Sequence, residues 1–417
     1  MSQPFRSRSR SLGYFLRGTT QTVGARTVNA IARFITGILC AAYEKSVAAI
    51  QDAVADAPTA SAMRQFLNSG TLTPKLCELL DAKTRHALRR ALQEPRNRRG
   101  PIVFAIDSTC KSTLAQFGKN LFSVGRWGKA QARNHIYVCG VLLFPDGRCL
   151  PVRPRQKKKG RWEASQIDLA GELVQQLVPW LGRYEVVVVA DAFFFSRKLI
   201  DVLQASPFHY VLACRGNTVV KGGRSLASRF ARTRLTRSRA TLPGSWGKRL
   251  QTYSAAREVL DLRSGGTQAA LVSRLHRKRR ATTKYLVSDL VDAPLTHVLG
   301  LYSVRWAVEV YFRDVKMFLG FDQYQVSSEH GPENFILLVT LAYQFLHWRG
   351  EAVQEPLGTV ARLRRLHRIL NAENVRIIER AVLTRHDRRD LRIYFGESPG
   401  AGAQRSRIPQ NARSAPQ

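Results

Sequence analysis

Tyr302, Arg305, Glu309 and Lys316 stand with two, three and six residues between them. At about 100° per residue, a single helix over 302–316 would place all four within an arc of roughly 60°. Val304, Val308, Tyr311, Val315 and Phe318 would fall on the opposite face and pack inward. A phenol, a guanidinium, a carboxylate and an ammonium along one line suit phosphodiester cleavage. The acid takes a metal and the cations take phosphates.

One carboxylate does not hold a metal, so partners are needed. Pro101–Ile106 reads as a strand that delivers Asp107, and Glu185–Ala190, with four consecutive valines, as a buried central strand that delivers Asp191. If the two strands are parallel neighbours, both acids reach one sheet edge, where α/β sites form. Glu309 then packs across that edge on its helix. Three close carboxylates repel by several kcal/mol at an effective dielectric of about 20. Two Mg²⁺ ions bridging Asp107, Asp191 and Glu309 would relieve this, with Mn²⁺ able to substitute, since hard oxygen ligands suit these ions and not zinc. Read singly, each Asp is more often a turn or helix cap, and a lone helical Glu is usually solvated.

The elements around these acids follow from periodicity. His135–Phe144 is expected as a strand, Pro145-Asp146-Gly147 as a hairpin turn and Cys149–Arg153 as the returning strand. Trp162–Val178 and Phe193–Ala205 read as helices and His209–Cys214 as a fifth strand. The alternation predicts an α/β fold: a mixed sheet flanked by helices. Residues 1–24 are expected as a basic disordered arm, and 25–98 as a helical domain of the small-bundle kind that often binds DNA. Residues 99–220 with 285–350 would form the catalytic domain, interrupted by a β-rich insertion over 221–284. A helical region over 351–396 and a disordered tail over 397–417 complete the chain.

Composition points to the partner. The 417 residues hold 66 Lys plus Arg against 30 Asp plus Glu, a formal net charge of +36. Such a chain repels itself and is drawn to polyanions, nucleic acid first. An apolar content of 44% is enough for real cores. The apolar stretch 34–43 is too short to span a membrane, so no membrane partner and a cytoplasmic location are expected. Six scattered cysteines form no CxxC pair and are expected as free, buried thiols.

Three blocks carry a family resemblance: A-I-D107-S-T, V-V-V-A-D191-A-F-F-F-S, and Y302-S-V-R305-W-A-V-E309 through K316, followed by L-G. The chain resembles the bacterial insertion-sequence transposases with an Asp-Asp-Glu triad, in the subgroup marked by a Tyr-Arg-Glu-Lys signature. The resemblance covers about residues 100–350. It implies a ribonuclease-H-like core, metal ligation by Asp107, Asp191 and Glu309, and phosphate contacts from Tyr302, Arg305 and Lys316. It further implies terminal inverted repeats and target DNA as double-stranded partners, a homodimer in the synaptic complex and a nucleoid-associated bacterial protein.

Other candidates for DNA contact are weaker. Arg153, Arg155, Lys157, Lys158, Lys159 and Arg161 form a dense basic loop, read either as a backbone contact or as a solvated loop. Trp246 either stacks on a flipped base or packs beside a turn. Arg215 and Asn217 either meet DNA or cap a turn, and Trp306 is expected to pack. The expected activity is transposition, with end cleavage and joining of 3′-hydroxyls to target DNA. The alternatives are a related nuclease or resolvase that does not join strands, and an inactive DNA-binding derivative. If charge drives binding, duplex affinity measured by fluorescence anisotropy falls at least about a hundredfold between 50 and 200 mM salt. A flat dependence would remove the argument from net charge.

Overall fold

The computed structural model describes residues 10–16, 23–41, 44–54, 57–113, 118–127, 130–160, 163–244, 247–263, 266–276, 282–326, 328–348, 359, 361–368 and 370. Five helices open the chain: α1 (Arg10–Phe15), α2 (Ala25–Cys40), α3 (Val47–Asp52), α4 (Ala60–Asn68) and α5 (Leu72–Gln93). After a 3-10 turn at Pro95–Arg98 come β1 (Ile102–Thr113), β2 (Phe122–Trp127), β3 (Ala130–Leu143), β4 (Cys149–Pro151) and β5 (Arg155–Gln156). Next are α6 (Gln166–Leu181), β6 (Val186–Ala190), α7 (Arg197–Gln204), β7 (His209–Cys214) and α8 (Leu226–Phe230). The insertion supplies β8 (Thr236–Gly244), β9 (Gly247–Leu262) and β10 (Gly266–Leu275), and β11 (Thr282–Ser288) closes it. Last come α9 (Leu295–Ser303), α10 (Trp306–Leu319) and α11 (Gly331–Trp348).

One sheet runs in the order β2-β3-β1-β6-β7-β11-β10-β9-β8, with β4 and β5 paired to β3. Its first five strands are three antiparallel followed by two parallel, the arrangement expected of a ribonuclease-H-like sheet. Two expectations change here. The outer strand of the antiparallel trio is β2, not Cys149–Arg153, which adds only a short ladder to β3. The insertion is not a body apart, because β11 pairs antiparallel with β7 and carries β10, β9 and β8 outward as an extension of the sheet.

β6 is buried at all five positions because helices cover both sheet faces. Its residues alternate between two cores. Val187 and Val189 join Val103 and Ala105 of β1 beneath the N-terminal helices, α10 and α11. Val186, Val188 and Ala190 join Ile102, Phe104 and Ile106 against α6 and α7. α6 starts later than the expected Trp162, because Ser165 caps it reciprocally with Asp168.

The N-terminal helices share the core that covers one face of the sheet. α11 packs against α2, α4 and α5. Asn334 of α11 donates from Nδ2 to the Leu67 carbonyl (2.7 Å), and Gln344 donates to Thr84 Oγ1 (2.9 Å). The expected disordered arm is corrected in part: Arg10–Phe15 is helical, and Leu12 and Leu16 are buried in the same core. Its Arg and Ser content suggested disorder, but the interleaved leucines and aromatics bury one face. Phe15 meets Phe345 edge-on at 5.4 Å. The tail 397–417 and most of 351–396 lie outside the described residues. All six cysteines are free. Cys40, Cys139 and Cys214 are buried as expected, but Cys110 is exposed. None of the described helices is long and apolar enough to cross a membrane.

His347 near the end of α11 stacks on Tyr343 (ring centroids 4.1 Å) and meets Thr359 Oγ1 at 3.1 Å. Burial, with Arg362 assisting, lowers its pKa from 6.5 to about 3. A depressed folded pKa means that stability is present above pH 6.5 and lost on acidification below it. Between pH 7 and pH 5 this linkage removes about 2 kcal/mol. Chemical denaturation at both pH values is expected to show that loss in the wild type and a much smaller one in His347→Gln. An unchanged loss would show that His347 does not carry it.

Candidate active site

Asp107 and Asp191 are set level by strand register. β1 and β6 are parallel, with Ile106 opposite Ala190, so the next residue on each chain is the aspartate. Asp107 is not at a strand end, as its sequence suggested. β1 continues to Thr113 because β3 pairs with it throughout, Asp107 opposite Cys139. β6 stops at Ala190, however, so β1 loses its parallel neighbour at Asp107 and leaves an open edge beside it. Strand alternation puts Asp107 on the face of Val103 and Ala105, the face α10 crosses.

Asp191 opens the turn into α7. Its Oδ1 accepts from the Phe193 amide (3.0 Å) and its carbonyl from the Phe194 amide (3.2 Å). The turn-cap reading of this residue therefore holds alongside any catalytic one. Asp107 Oδ1 accepts from the Ser108 amide at 2.7 Å, which leaves Oδ2 for another partner.

That partner is Arg305. Its Nη1 lies 2.9 Å from Asp107 Oδ2, and its Nη2 donates to Glu309 Oε1 one turn along. The guanidinium side chain is only 13% exposed, so the ion pairs are little screened by solvent. Burial works against the Arg305 charge, but Tyr302, Asp107 and Glu309 outweigh it and raise its pKa above the ordinary value. Burial also pushes the Asp107 carboxyl up to about 6. The Ser108 amide and Arg305 oppose the rise, and the charges of Asp191 and Glu309 add to it. The three acids thus share one electrostatic neighbourhood.

The single helix expected over 302–316 is two helices. α9 ends at Ser303 and α10 starts at Trp306. Through the junction, Val304, Arg305, Ala307 and Val308 each donate to the carbonyl three residues back. This 3-10 winding turns further per residue than an α-helix and brings Tyr302 into line with Arg305 three residues on, whose guanidinium hydrogen-bonds the Tyr302 side chain. Tyr302 is 8% exposed, and burial raises its phenol pKa while Arg305 opposes the rise. Arg305 and Glu309 keep their mutual reach. On the inward face Val308, Tyr311 and Val315 are buried as expected. Lys316 lies near β3: it opposes the burial-driven rise of the Cys139 thiol pKa, to which Asp107 adds. Gly320 ends α10 in the left-handed region (φ 70°), a turn a side chain would strain.

The basic loop is largely consumed inside the protein. Arg153 pairs with Asp81 at 3.1 Å and Arg155 with Glu172 at 3.3 Å. Lys157 meets Glu163 at 2.6 Å, and Lys158 meets Glu333 at 2.7 Å. Lys159 lies over the Phe122 ring, 5.3 Å from its centroid. Arg215 is exposed just beyond β7, at the same edge as Asp191. Arg161 and Trp246 lie outside the described residues. Trp306 does not pack as expected; it is 37% exposed. Two neighbours of the site escaped the sequence reading. Lys284 of β11 stands 5.2 Å from the Tyr302 ring centroid, and Phe193, beside Asp191, is 48% exposed. The Phe193-Phe194-Phe195 run directly after Asp191 was the available signal for the second.

Among the described residues, no three His, Cys, Asp or Glu side chains converge closely enough to hold one metal ion. The donor set nevertheless fits a hard divalent cation. It consists of carboxylates at one open edge, and a guanidinium supplies positive charge between two of them. Removing that charge exposes the repulsion. Arg305→Ala is expected to lower stability by about 2 kcal/mol at pH 8 without divalent ions, and added Mg²⁺ should restore part of the loss. Thermal melts with and without Mg²⁺ check this; an unchanged melting temperature would contradict the compensating role of Arg305.

Comparison with known proteins agrees with this geometry. Residues 163–345 match the family described as a transposase DDE domain. The matched segment is less than half the chain; it includes Asp191, Tyr302, Arg305, Glu309 and Lys316 and leaves out Asp107. No curated protein matches the chain. Among solved structures, a piggyBac transposase synaptic complex with hairpin DNA is similar at 12% identity and a TM-score of 0.45, over 94% of this chain and 84% of that one. That likeness is too distant to carry an argument. The domain match over residues 163–345 supports a DDE transposase.

Proposed function

We propose that the chain is a DNA transposase that binds terminal inverted repeats as a homodimer, cleaves the ends and joins their 3′-hydroxyls to target DNA. The observation that carries this reading is the level placement of Asp107 and Asp191 on adjacent parallel strands, with Glu309 tied to the first through Arg305. Asp107 itself lies outside the segment that matches the transposase DDE domain.

Asp107, Asp191 and Glu309 are the residues that would hold two Mg²⁺ ions, or Mn²⁺ in their place. Such ions lower the pKa of attacking water and offset charge in an in-line displacement at phosphorus. The protein's own work is to gather and then expose the carboxylates. Without divalent ions, Arg305 neutralises Asp107 and Glu309 and keeps the edge from repelling itself apart. As DNA arrives, a phosphate competes for the guanidinium, which pairs with either anion in the same fork geometry. Arg305 then holds a phosphate and releases two carboxylates. Tyr302 supports the Arg305 stem, and Lys316 and Lys284 supply further positive charge. Cleavage and joining are both displacements at phosphorus, so one set of residues serves both. A nucleoid-associated setting fits the net charge of +36, and the bacterial one rests on the family resemblance.

Asp191→Ala is expected to reduce cleavage of a labelled element end to background and to leave end binding within about twofold, since it removes no cation. Wild-type cutting by that variant would sink the site assignment. Incubating wild-type protein with labelled ends and a target plasmid separates the rival: joined product supports a transposase, and cleavage alone a nuclease.

A further inference from the structure

The catalytic edge uses one end of the sheet, and the opposite end carries a different feature. Where β1 and β6 begin, a cleft of about 680 Å³ opens between the C-terminal half of α5, the 3-10 turn at Pro95–Arg98 and the turn after α6. Arg85, Arg89, Arg98 and Arg183 line it, with Trp180 and Tyr184 between them, and no acid takes part in the lining. The starts of the two strands meet there, since the Ile102 amide donates to the Glu185 carbonyl at 2.9 Å. The five residues of β6 separate it from Asp191, roughly 17 Å at about 3.3 Å per residue.

The pairing state of these cations sets them apart. The loop cations Arg153, Arg155, Lys157 and Lys158 are matched to carboxylates within the protein. Arg85, Arg89, Arg98 and Arg183 have no carboxylate partner among the described residues. All four are exposed. Arg85 lies over the Trp180 ring, 5.7 Å from its centroid, and Arg98 Nε donates to the Leu92 carbonyl. These contacts orient two guanidiniums but leave the charges uncompensated. One cation is enough to complement a helix C-terminus. Four, brought from three separate segments, repel one another and call for a polyanion. Guanidiniums beside aromatic faces in an open cleft suit phosphates spaced along a strand.

We propose that this cleft binds the phosphodiester backbone of a second DNA segment, apart from the segment at the carboxylates. The inference rests on DNA being the partner and not on cleavage. Two binding faces on opposite sheet ends would let one protomer hold an element end and a further duplex, flank or target, together.

The test uses the full chain and a labelled duplex of unrelated sequence, with affinity measured by anisotropy from 50 to 300 mM salt. Arg89→Glu with Arg183→Glu is compared with a control of equal charge change at exposed Arg64 and Arg224. The expected result is at least about a tenfold weaker affinity in the cleft variant and a log–log salt slope shallower by about two, against a smaller effect in the control. The milder pair Arg89→Gln and Arg183→Gln guards against misfolding, with melting temperature as the check, and should shift both quantities the same way. Equal losses in cleft variant and control, or binding like wild type in folded cleft variants, would overturn the proposal. If the cleft variants lose affinity while the wild-type protein cuts no ends, the cleft stands and the nuclease reading falls.

Discussion

The parallel pairing of β1 with β6 is the constraint on which the rest depends. Parallel strands need cover on both faces, and four successive valines meet that need with no polar position to spare. The register is held by two cores at once, so a one-residue slip would turn every valine to the wrong face. The same register brings Asp107 and Asp191 to one level. Hydrophobic packing of a strand therefore does the positioning, and the acids are carried by it. Covering the upper face is left to α10 and α11, and those helices are in turn held by the N-terminal helices. This explains why the described N-terminal helices share a core with the site and do not hang from it as a separate domain.

Once the acids are level, electrostatics sets the next requirement. Burial already raises the Asp107 carboxyl, and two further carboxylates add to the rise. Arg305 is the compensating charge, and its place at the junction of α9 and α10 lets it reach both Asp107 and Glu309. A residue with that reach is also a ready phosphate ligand. The site thus holds its own counter-ion, one that, in the proposed function, the phosphates of DNA would draw away.

Much of the site was legible in the sequence because its signals are local. The valine run, the aspartate that follows it and the spacing of Arg305 with Glu309 each span one element. The junction at Val304–Arg305 was not, since apolar periodicity continues through it and no Gly or Pro marks the tightened turn. The continuation of β1 past Asp107 depends on β3, a partner distant in sequence. The fate of the basic loop was hidden for the same reason. Asp81, Glu172 and Glu333, which pair with it, lie on three other elements. A run of cations announces charge, but only the fold tells whether that charge is spent inside. The cleft arginines were invisible for the converse reason, being scattered over a hundred residues and gathered by packing.

The most direct measurement is Mn²⁺ binding to the full chain by electron paramagnetic resonance, with a DNA end present and absent. If Asp107, Asp191 and Glu309 form one cation site that Arg305 guards, Mn²⁺ binds more tightly with the DNA end, and Asp107→Asn abolishes that gain. Mn²⁺ affinity that is unmoved by DNA and by Asp107→Asn would contradict it.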